Sequence, residues 1–455
     1  MKLNIPSDFI LGIADSDLQV IGEKWTRAEE HSEQTMWDTF CHSGKCFANT
    51  STEIGVDRYH RFPEDIELMK KLGVRHYRTS ISMSRTLHPD GRPHEGALRW
   101  YANYFKLLKA AGIKIYATLY HWELPQYLSE QGGWTNRRTI DYFLKHTALV
   151  AERLGEYIEE YFVLNEPWCS AFLGHFVGIH APGEKNLKSA LLATHNLLLA
   201  QGLAVRILSH ISPRPKIGTV TMVEPAYPAT DSPKDREAAR YADEHQNWWF
   251  LDPLFLGQYP ELLLNHYGEA MPRVGKGDME EIKIGALLDD LGLNSYGGKR
   301  VEYREESPLK FDWAYKEGSE YNDLGWVSFT PPLYPEGLHD MLTQTYNRYK
   351  NAGLKGLMVT ENGFAEKTEW DGKSELIEDN RRIKFLEEHL RQVLKAREEG
   401  IPVNGYFIWT LLDNFEWAQA HNPNGTFGLV HVDHPTLKRI LKKSALWFRD
   451  ISGSL

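Results

Sequence analysis

Two short stretches carry the residue types best suited to chemistry. Leu357-Met358-Val359-Thr360-Glu361-Asn362-Gly363 runs apolar and ends in a carboxylate, an amide and a glycine. Far upstream, Tyr161-Phe162-Val163-Leu164-Asn165-Glu166-Pro167 has the same form. Each reads as a buried strand delivering one glutamate at its tip. A carboxylate pair suits cleavage of a glycosidic bond. That reaction needs a proton for the departing oxygen and a negative partner for the positive sugar carbon. Glu166 and Glu361 are therefore the candidate catalytic pair, and Pro167 blocks regular continuation beyond Glu166. Arg78 is a candidate for keeping Glu361 ionised, because a nearby cation lowers a carboxylate pKa. Tyr296 is a candidate hydrogen-bond donor to the same carboxylate. Gln19, His121, Asn165 and Glu416 have donors and acceptors for sugar hydroxyls, and Trp409 and Trp417 offer flat walls.

These residues recur at the ends of apolar runs, which points to the elements that position them. Phe9 to Ala14 is a first strand. The charge order Glu64, Asp65, then Lys70, Lys71 predicts a helix from Pro63 to Leu72, with Pro63 near its start. Val74 to Ile81 follows as a strand and ends on the Arg78 segment. Leu98, Tyr101, Phe105 and Leu108 fall at helical spacing before the strand Ile113 to Tyr120, which leads into His121-Trp122. The alternation continues with a helix from Ile140 to Leu154 and the strand Tyr161 to Leu164. Next come a helix from Leu191 to Leu208 and the strand Lys216 to Val223. A helix from Met279 to Leu288 precedes Leu291 to Tyr296, the strand that carries Asn294. Pro335 to Tyr349 precedes Leu357 to Thr360, and a helix ended by Gly400 precedes Val403 to Trp409. Eight strands alternating with helices predict an α/β protein with a parallel sheet closed into a single (β/α)8 TIM barrel over residues 1–455. Long loops follow the strands, at roughly 41–57, 166–190, 225–250, 297–334 and 412–435, and build the active-site face. Trp168, Leu173, His180 and Trp326 lie in them and are candidates for an outer wall.

Composition narrows the function classes. A net charge of −10 argues against a polyanion-binding surface, so no nucleic-acid partner is expected. Three cysteines in 455 residues do not make a disulfide framework, which favours a reducing compartment, the cytoplasm. The N-terminus shows no secretory pattern, and no stretch approaches the ~20 apolar residues of a membrane span. The Cys41/Cys46 spacing lacks a second ligand pair, and neither a HExxH, a GxGxxG nor a P-loop occurs, so neither metal nor cofactor is expected.

Taken in order, the motifs resemble glycoside hydrolase family 1, the β-glucosidase family, over nearly the whole chain. The resemblance rests on Phe9-Ile10-Leu11-Gly12 with Gln19, then Tyr59-His60-Arg61, Tyr77-Arg78 and Tyr120-His121-Trp122. It continues through Asn165-Glu166-Pro167, His180-Ala181-Pro182-Gly183, His195-Asn196, Asn294 with Tyr296, Thr360-Glu361-Asn362-Gly363, and Trp409 to Trp417. It implies a retaining, exo-acting β-glycosidase of small β-glucosides and oligosaccharides. β-Fucosides, β-galactosides and transglycosylation come within its range. Glu166 would be the acid/base and Glu361 the nucleophile. Asn165 would touch the 2-hydroxyl, Gln19, His121, Glu416 and Trp417 would hold outer hydroxyls, and Trp409 would form the platform. Three positions depart from the pattern: Ile21 stands where a Glu is usual, Met83 for a Trp and Leu18 for an aromatic. Phosphorylated-sugar members replace the Glu-Trp pair; here Glu416-Trp417 is intact, which implies an unphosphorylated sugar.

Overall fold

The computed structural model describes residues 3–314, 322–324 and 335–453. Its strands, in chain order, are β1 Ile10–Ala14, β2 His76–Ser80, β3 Lys114–Thr118, β4 Ile158–Asn165 and β5 Lys216–Met222. They continue as β6 Ala226–Pro228, β7 Asp290–Asn294, β8 Lys299–Tyr303, β9 Phe311–Trp313 and β10 Leu357–Asn362. The last four are β11 Leu376–Ile377, β12 Val403–Trp409, β13 Val430–Asp433 and β14 Lys438–Lys442. Strands β1, β2, β3, β4, β5, β7, β10 and β12 close into a parallel barrel, each beside the next along the chain. The barrel expected from the sequence is therefore present, with all eight strands where they were placed to within a few residues.

The apolar runs divide by parity, as a two-residue strand repeat requires, except at Leu164, which lies in the register shift of β4 and joins the outer cluster. Tyr161, Val163, Leu291, Leu293, Val359 and Ile408 point outward and are covered by helices. Tyr116, Phe162, Val220, Met358 and Phe407 point inward and fill the barrel. Fully burying such a side chain stabilises by roughly 1.5–3 kcal/mol. Both faces are dry, so the strands read as continuous apolar runs rather than alternating ones.

Three expectations need correction. The first helix spans Arg58–Lys71, so Pro63 lies inside it rather than at its start. Proline has no N–H for the carbonyl of Tyr59, four residues back. The Trp100 indole donates to that carbonyl instead, at 3.0 Å, and the helix runs on. Asp65 is then no dipole partner but a buried acceptor for Arg58 at 2.8 Å and Arg439 at 3.0 Å. Second, the helix expected over Met279 to Leu288 is only a short turn, Asp278–Ile282, with a 3-10 turn at Gly285–Leu287. Gly285 lies flat against Phe255, where a Cβ would meet the ring at 2.2 Å. The loop expected at 225–250 instead contains helix Pro233–Asp243, capped by the Ser232 side chain, and leads into helix Trp249–Leu256. Third, helix Leu187–Ser209 is long and apolar enough to span a membrane, but 78% of its most apolar window is buried in the fold. It packs as a core helix against helix Arg138–Leu154.

Two small sheets stand on the loops at the C-terminal ends of the barrel strands. One has the order β6-β8-β9 and the other β11-β14-β13. The second anchors the loop after β12. Lys442 donates to Asp413 at 2.7 Å, the Gly428 amide donates to the same carboxylate at 2.9 Å, and His431 pairs with it at 2.9 Å.

Candidate active site

Both glutamates stand where their strands slip register. β4 shifts against β5 between Phe162 and Asn165, and β10 shifts against β7 between Val359 and Glu361. An extra residue in one strand re-aims the side chains that follow it. Glu166 leaves β4 at a φ of 43°, a left-handed conformation that strains a non-glycine backbone. Its amide donates to Val220 at 3.0 Å and keeps it tied to the barrel rim.

One hydrogen-bonded frame joins the pair. Arg78 donates from Nη1 to Glu361 Oε1 at 2.6 Å and from Nη2 to Asn165 Oδ1 at 2.6 Å. Asn294 donates to Glu166 Oε1 at 2.6 Å and to Asn165 Oδ1 at 3.1 Å. Thr360 fixes the Asn294 amide by donating to its oxygen at 2.6 Å. Tyr296 donates to Glu361 Oε2 at 2.8 Å, and the Cys169 thiol donates to Glu166 Oε2 at 3.1 Å. Arg78 and Glu361 are 283 positions apart in sequence, so only the closed barrel brings them together.

The neighbours give the two carboxyls different protonation. Burial first, then the Glu361 charge, pushes Glu166 up to about 8. Burial also raises Glu361, but the Arg78 guanidinium and then the Tyr296 hydroxyl pull against it. Glu166 is therefore the carboxyl suited to hold a proton near neutral pH, and Glu361, with Arg78 against it, the one suited to be the anion. Glu416 is likewise pushed up to about 8, by burial and then by the charges of Glu361 and Glu166. Burial, and next Arg78, holds His121 well below the usual histidine range, so the ring is neutral. Its Nε2 accepts from Asn165 at 3.0 Å, which leaves Nδ1 to carry the ring proton.

A cavity of about 370 Å³ opens over the pair. His121, Trp122, Tyr296, Trp409, Glu416 and Trp417 line its inner part. Trp417 packs on Trp122 at 4.6 Å and on Trp37 at 4.8 Å between ring centroids. Trp122 and Trp417 both have left-handed backbones, with φ of 68° and 48°. The Trp122 backbone is fixed by the Trp37 indole, which donates to its carbonyl at 3.0 Å. Among the described residues, His121 Nδ1 and Glu416 Oε2 are buried without a partner, and both side chains line the cavity. An unpartnered donor and acceptor of this kind are complementary to hydroxyl groups.

Trp168, Leu173 and His180 also line the cavity. Trp326 lies outside the described residues. Arg78, Asn165 and Asn294 are fully buried behind the wall, where they hold the glutamates. Asn165, expected on a sugar hydroxyl, has both ends of its amide engaged by Arg78, Asn294 and His121. Gln19 is not presented to the cavity either: its oxygen accepts from Ser16 at 2.7 Å and its nitrogen donates to the Phe415 carbonyl at 2.6 Å. The sequence reading missed Trp37, Cys169, Glu224, Lys299 and Trp313. Cys169 had a readable signal, three residues after Glu166 in a helical turn; Trp37 had none, because its partners are remote in sequence. Among the described residues no group of three or more His, Cys, Asp or Glu side chains is arranged for a metal ion.

Comparison with known proteins gives the same picture across the whole chain. Residues 1–454 match the model for glycosyl hydrolase family 1. The chain is 36% identical to β-glucosidase A of Acetivibrio thermocellus, covering 99% of this chain and 98% of that protein. It is 32% identical to a 6-phospho-β-galactosidase of Clostridium acetobutylicum, covering 99% and 97%. The fold superposes on the β-glucosidase of Exiguobacterium antarcticum with a TM-score of 0.92 at 34% identity, covering 99% of both chains. It superposes on a Thermotoga maritima β-glucosidase in complex with deoxynojirimycin with a TM-score of 0.91 at 35% identity, covering 99% and 98%. A closed barrel, a glutamate pair at two of its strand ends and a family match from end to end converge: the chain is a glycoside hydrolase and belongs to glycosyl hydrolase family 1.

Proposed function

We propose that the protein is a retaining, exo-acting β-glucosidase that releases terminal β-D-glucosyl units from small glucosides and oligosaccharides. The observation that carries this reading is the unequal surroundings of the pair: Glu166 beside the neutral donors Cys169 and Asn294, Glu361 beside the Arg78 cation and Tyr296. Glu361 attacks the anomeric carbon as Glu166 gives its proton to the departing oxygen. Glu166, now a carboxylate, takes a proton from water, and the hydroxide displaces Glu361 from the glycosyl-enzyme. The sugar leaves with its original configuration. A second sugar in place of water gives transglycosylation. Arg78 keeps Glu361 ready to attack, and the buried wall of Trp409 and Trp417 keeps competing water out. β-Fucosides and β-galactosides, which differ from β-glucosides only at outer positions of the ring, belong to the same proposal. The small, odd cysteine count, three in 455 residues, supports work in a reducing compartment, the cytoplasm.

The phosphorylated relative raises a second reading, hydrolysis of a 6-phosphoglycoside. The intact Glu416-Trp417 pair argues against it, because a carboxyl at that position suits a sugar hydroxyl and brings no cation of its own to a phosphate. The test is to measure p-nitrophenyl β-glucoside and its 6-phosphate side by side. The plain glucoside is expected to be the better substrate by a wide margin. A preference for the phosphate would overturn the assignment of Glu416.

A further inference from the structure

The three-stranded sheet β6-β8-β9 has no part in the chemistry above, yet it brings three side chains to the mouth of the cavity. Glu224 stands two residues before β6, and Asn247 pins its backbone at both ends with hydrogen bonds of 2.9 Å. Lys299 is the first residue of β8 and opposes Ala226. Trp313 is the last residue of the antiparallel strand β9 and opposes Val301. The start of β8 and the end of β9 therefore share one edge of the sheet, beside the start of β6. There Lys299 forms an ion pair with Glu224 and its ammonium sits 4.0 Å from the centroid of the Trp313 ring. All three residues line the cavity that contains Glu166 and Glu361. The pair is on the Glu166 side, close enough to act electrostatically on Cys169, whose thiol donates to Glu166. That is the side on which the protonated oxygen departs.

We propose that Lys299 and Glu224 are specificity-determining residues that bind the leaving group and select one made of sugar over an aryl group. This rests on the β-glucosidase reading and names the leaving group for it. A partly exposed ammonium paired with a buried carboxylate loses its remaining water when a leaving group covers it, and that loss needs new hydrogen bonds in return. A pyranose offers hydroxyls that accept from Lys299 and donate to Glu224; an unsubstituted aryl ring offers neither. The pair is neutral as a whole, so it gives a free anion no net attraction. Trp313 holds the ammonium by cation–π contact, and Trp168 supplies an apolar wall fixed by its indole, which donates to His245 at 3.1 Å.

The test compares cellobiose with phenyl β-glucoside, which share the glucosyl unit and differ only in what leaves. In Lys299→Met the apolar stem remains on Trp313 while the donors go. The ratio of kcat/KM for cellobiose to kcat/KM for the aryl glucoside is expected to fall about 10- to 100-fold, the worth of a hydrogen bond to a charged group. Glu224→Gln should lower the same ratio, and Lys299→Arg should restore part of it. Melting curves show which variants are folded, and Glu224→Gln, which keeps its shape, decides if Lys299→Met is not. An unchanged ratio in folded variants would overturn the proposal while leaving the β-glucosidase reading intact. An equal fall on both substrates with a shifted pH profile would also overturn it, by making the pair a tuner of Glu166. A wild-type protein inert towards both substrates would instead sink the β-glucosidase reading, and this proposal with it.

Discussion

Glu166 and Glu361 are the same side chain made different by what touches them. A charge-assisted bond from Arg78 favours the ionised form of Glu361, whereas Glu166 faces only neutral donors. Glycosylation needs a protonated Glu166, so kcat/KM is expected to fall as pH rises through about 8. Cys169 sharpens this. Its thiol donates to the Glu166 carboxylate and so favours loss of the proton. Cys169→Ala removes that donor, which should move the alkaline limb upward by about half to one pH unit, the worth of one neutral hydrogen bond. A limb that stays put or moves down would show that the thiol does not act on Glu166. The pair was legible in sequence because each glutamate ends an apolar run, while the separate roles came with the family resemblance. The partners that tune them were only partly so. Arg78 within β2, Tyr296 just past β7 and Cys169 three residues after Glu166 could be read as polar groups near the strand ends, but not which carboxyl each one touches.

Strands and helices were legible where one physical signal dominated. Barrel strands are buried on both faces, and their apolar runs are hard to mistake. The misreadings arose where tertiary contacts replaced a local rule: the Trp100 indole rescues the carbonyl left unpaired by Pro63, and Gly285 is chosen for contact with Phe255. Another departure from local rules lies at the floor of the barrel. Glu160, the third residue of β4, points inward like Phe162 two residues on, and its carboxyl has no hydrogen-bond partner among the described residues. Burial first, and the nearby Asp290 second, raises its pKa well above the usual carboxylate value. Below the ordinary value of 4.5 both folded and unfolded chains hold this proton, and Glu160 has no pH-dependent effect. As pH rises above it, the unfolded chain releases the proton and the folded one retains it, so stability is lost. Glu160→Gln removes that loss. Its melting temperature at pH 7 should exceed that of the wild type by about 1–3 °C, with the gain shrinking toward pH 4. A gain independent of pH, or a lower melting temperature at pH 7, would contradict this reading of the floor.

At the scale of the whole molecule, the barrel's work is convergence. Parallel strands send every C-terminal end to one face, so residues scattered from His121 to Trp417 meet in one cavity. That rule made most of the site visible from sequence. It could not show that Gln19 turns away, because its amide is engaged by Ser16 and the Phe415 carbonyl, a contact between the two ends of the chain. The same convergence gives each glutamate one job, and removal of either should stall a different step. Glu361→Gly should abolish turnover, since no group remains to attack the sugar carbon. Glu166→Ala should slow cellobiose hydrolysis by about 10²–10⁴-fold, the usual worth of acid/base assistance, while sparing glycosylation by a dinitrophenyl glucoside, whose leaving group needs no proton. The most direct measurement is the configuration, by NMR, of the glucosyl azide that each variant makes from that activated substrate. In Glu361→Gly, azide attacks in the vacated space and should give the α adduct. In Glu166→Ala, azide intercepts the glycosyl-enzyme and should give the β adduct. Swapped configurations, or the α adduct from both variants, would contradict the assignment of Glu361 as nucleophile and Glu166 as acid/base.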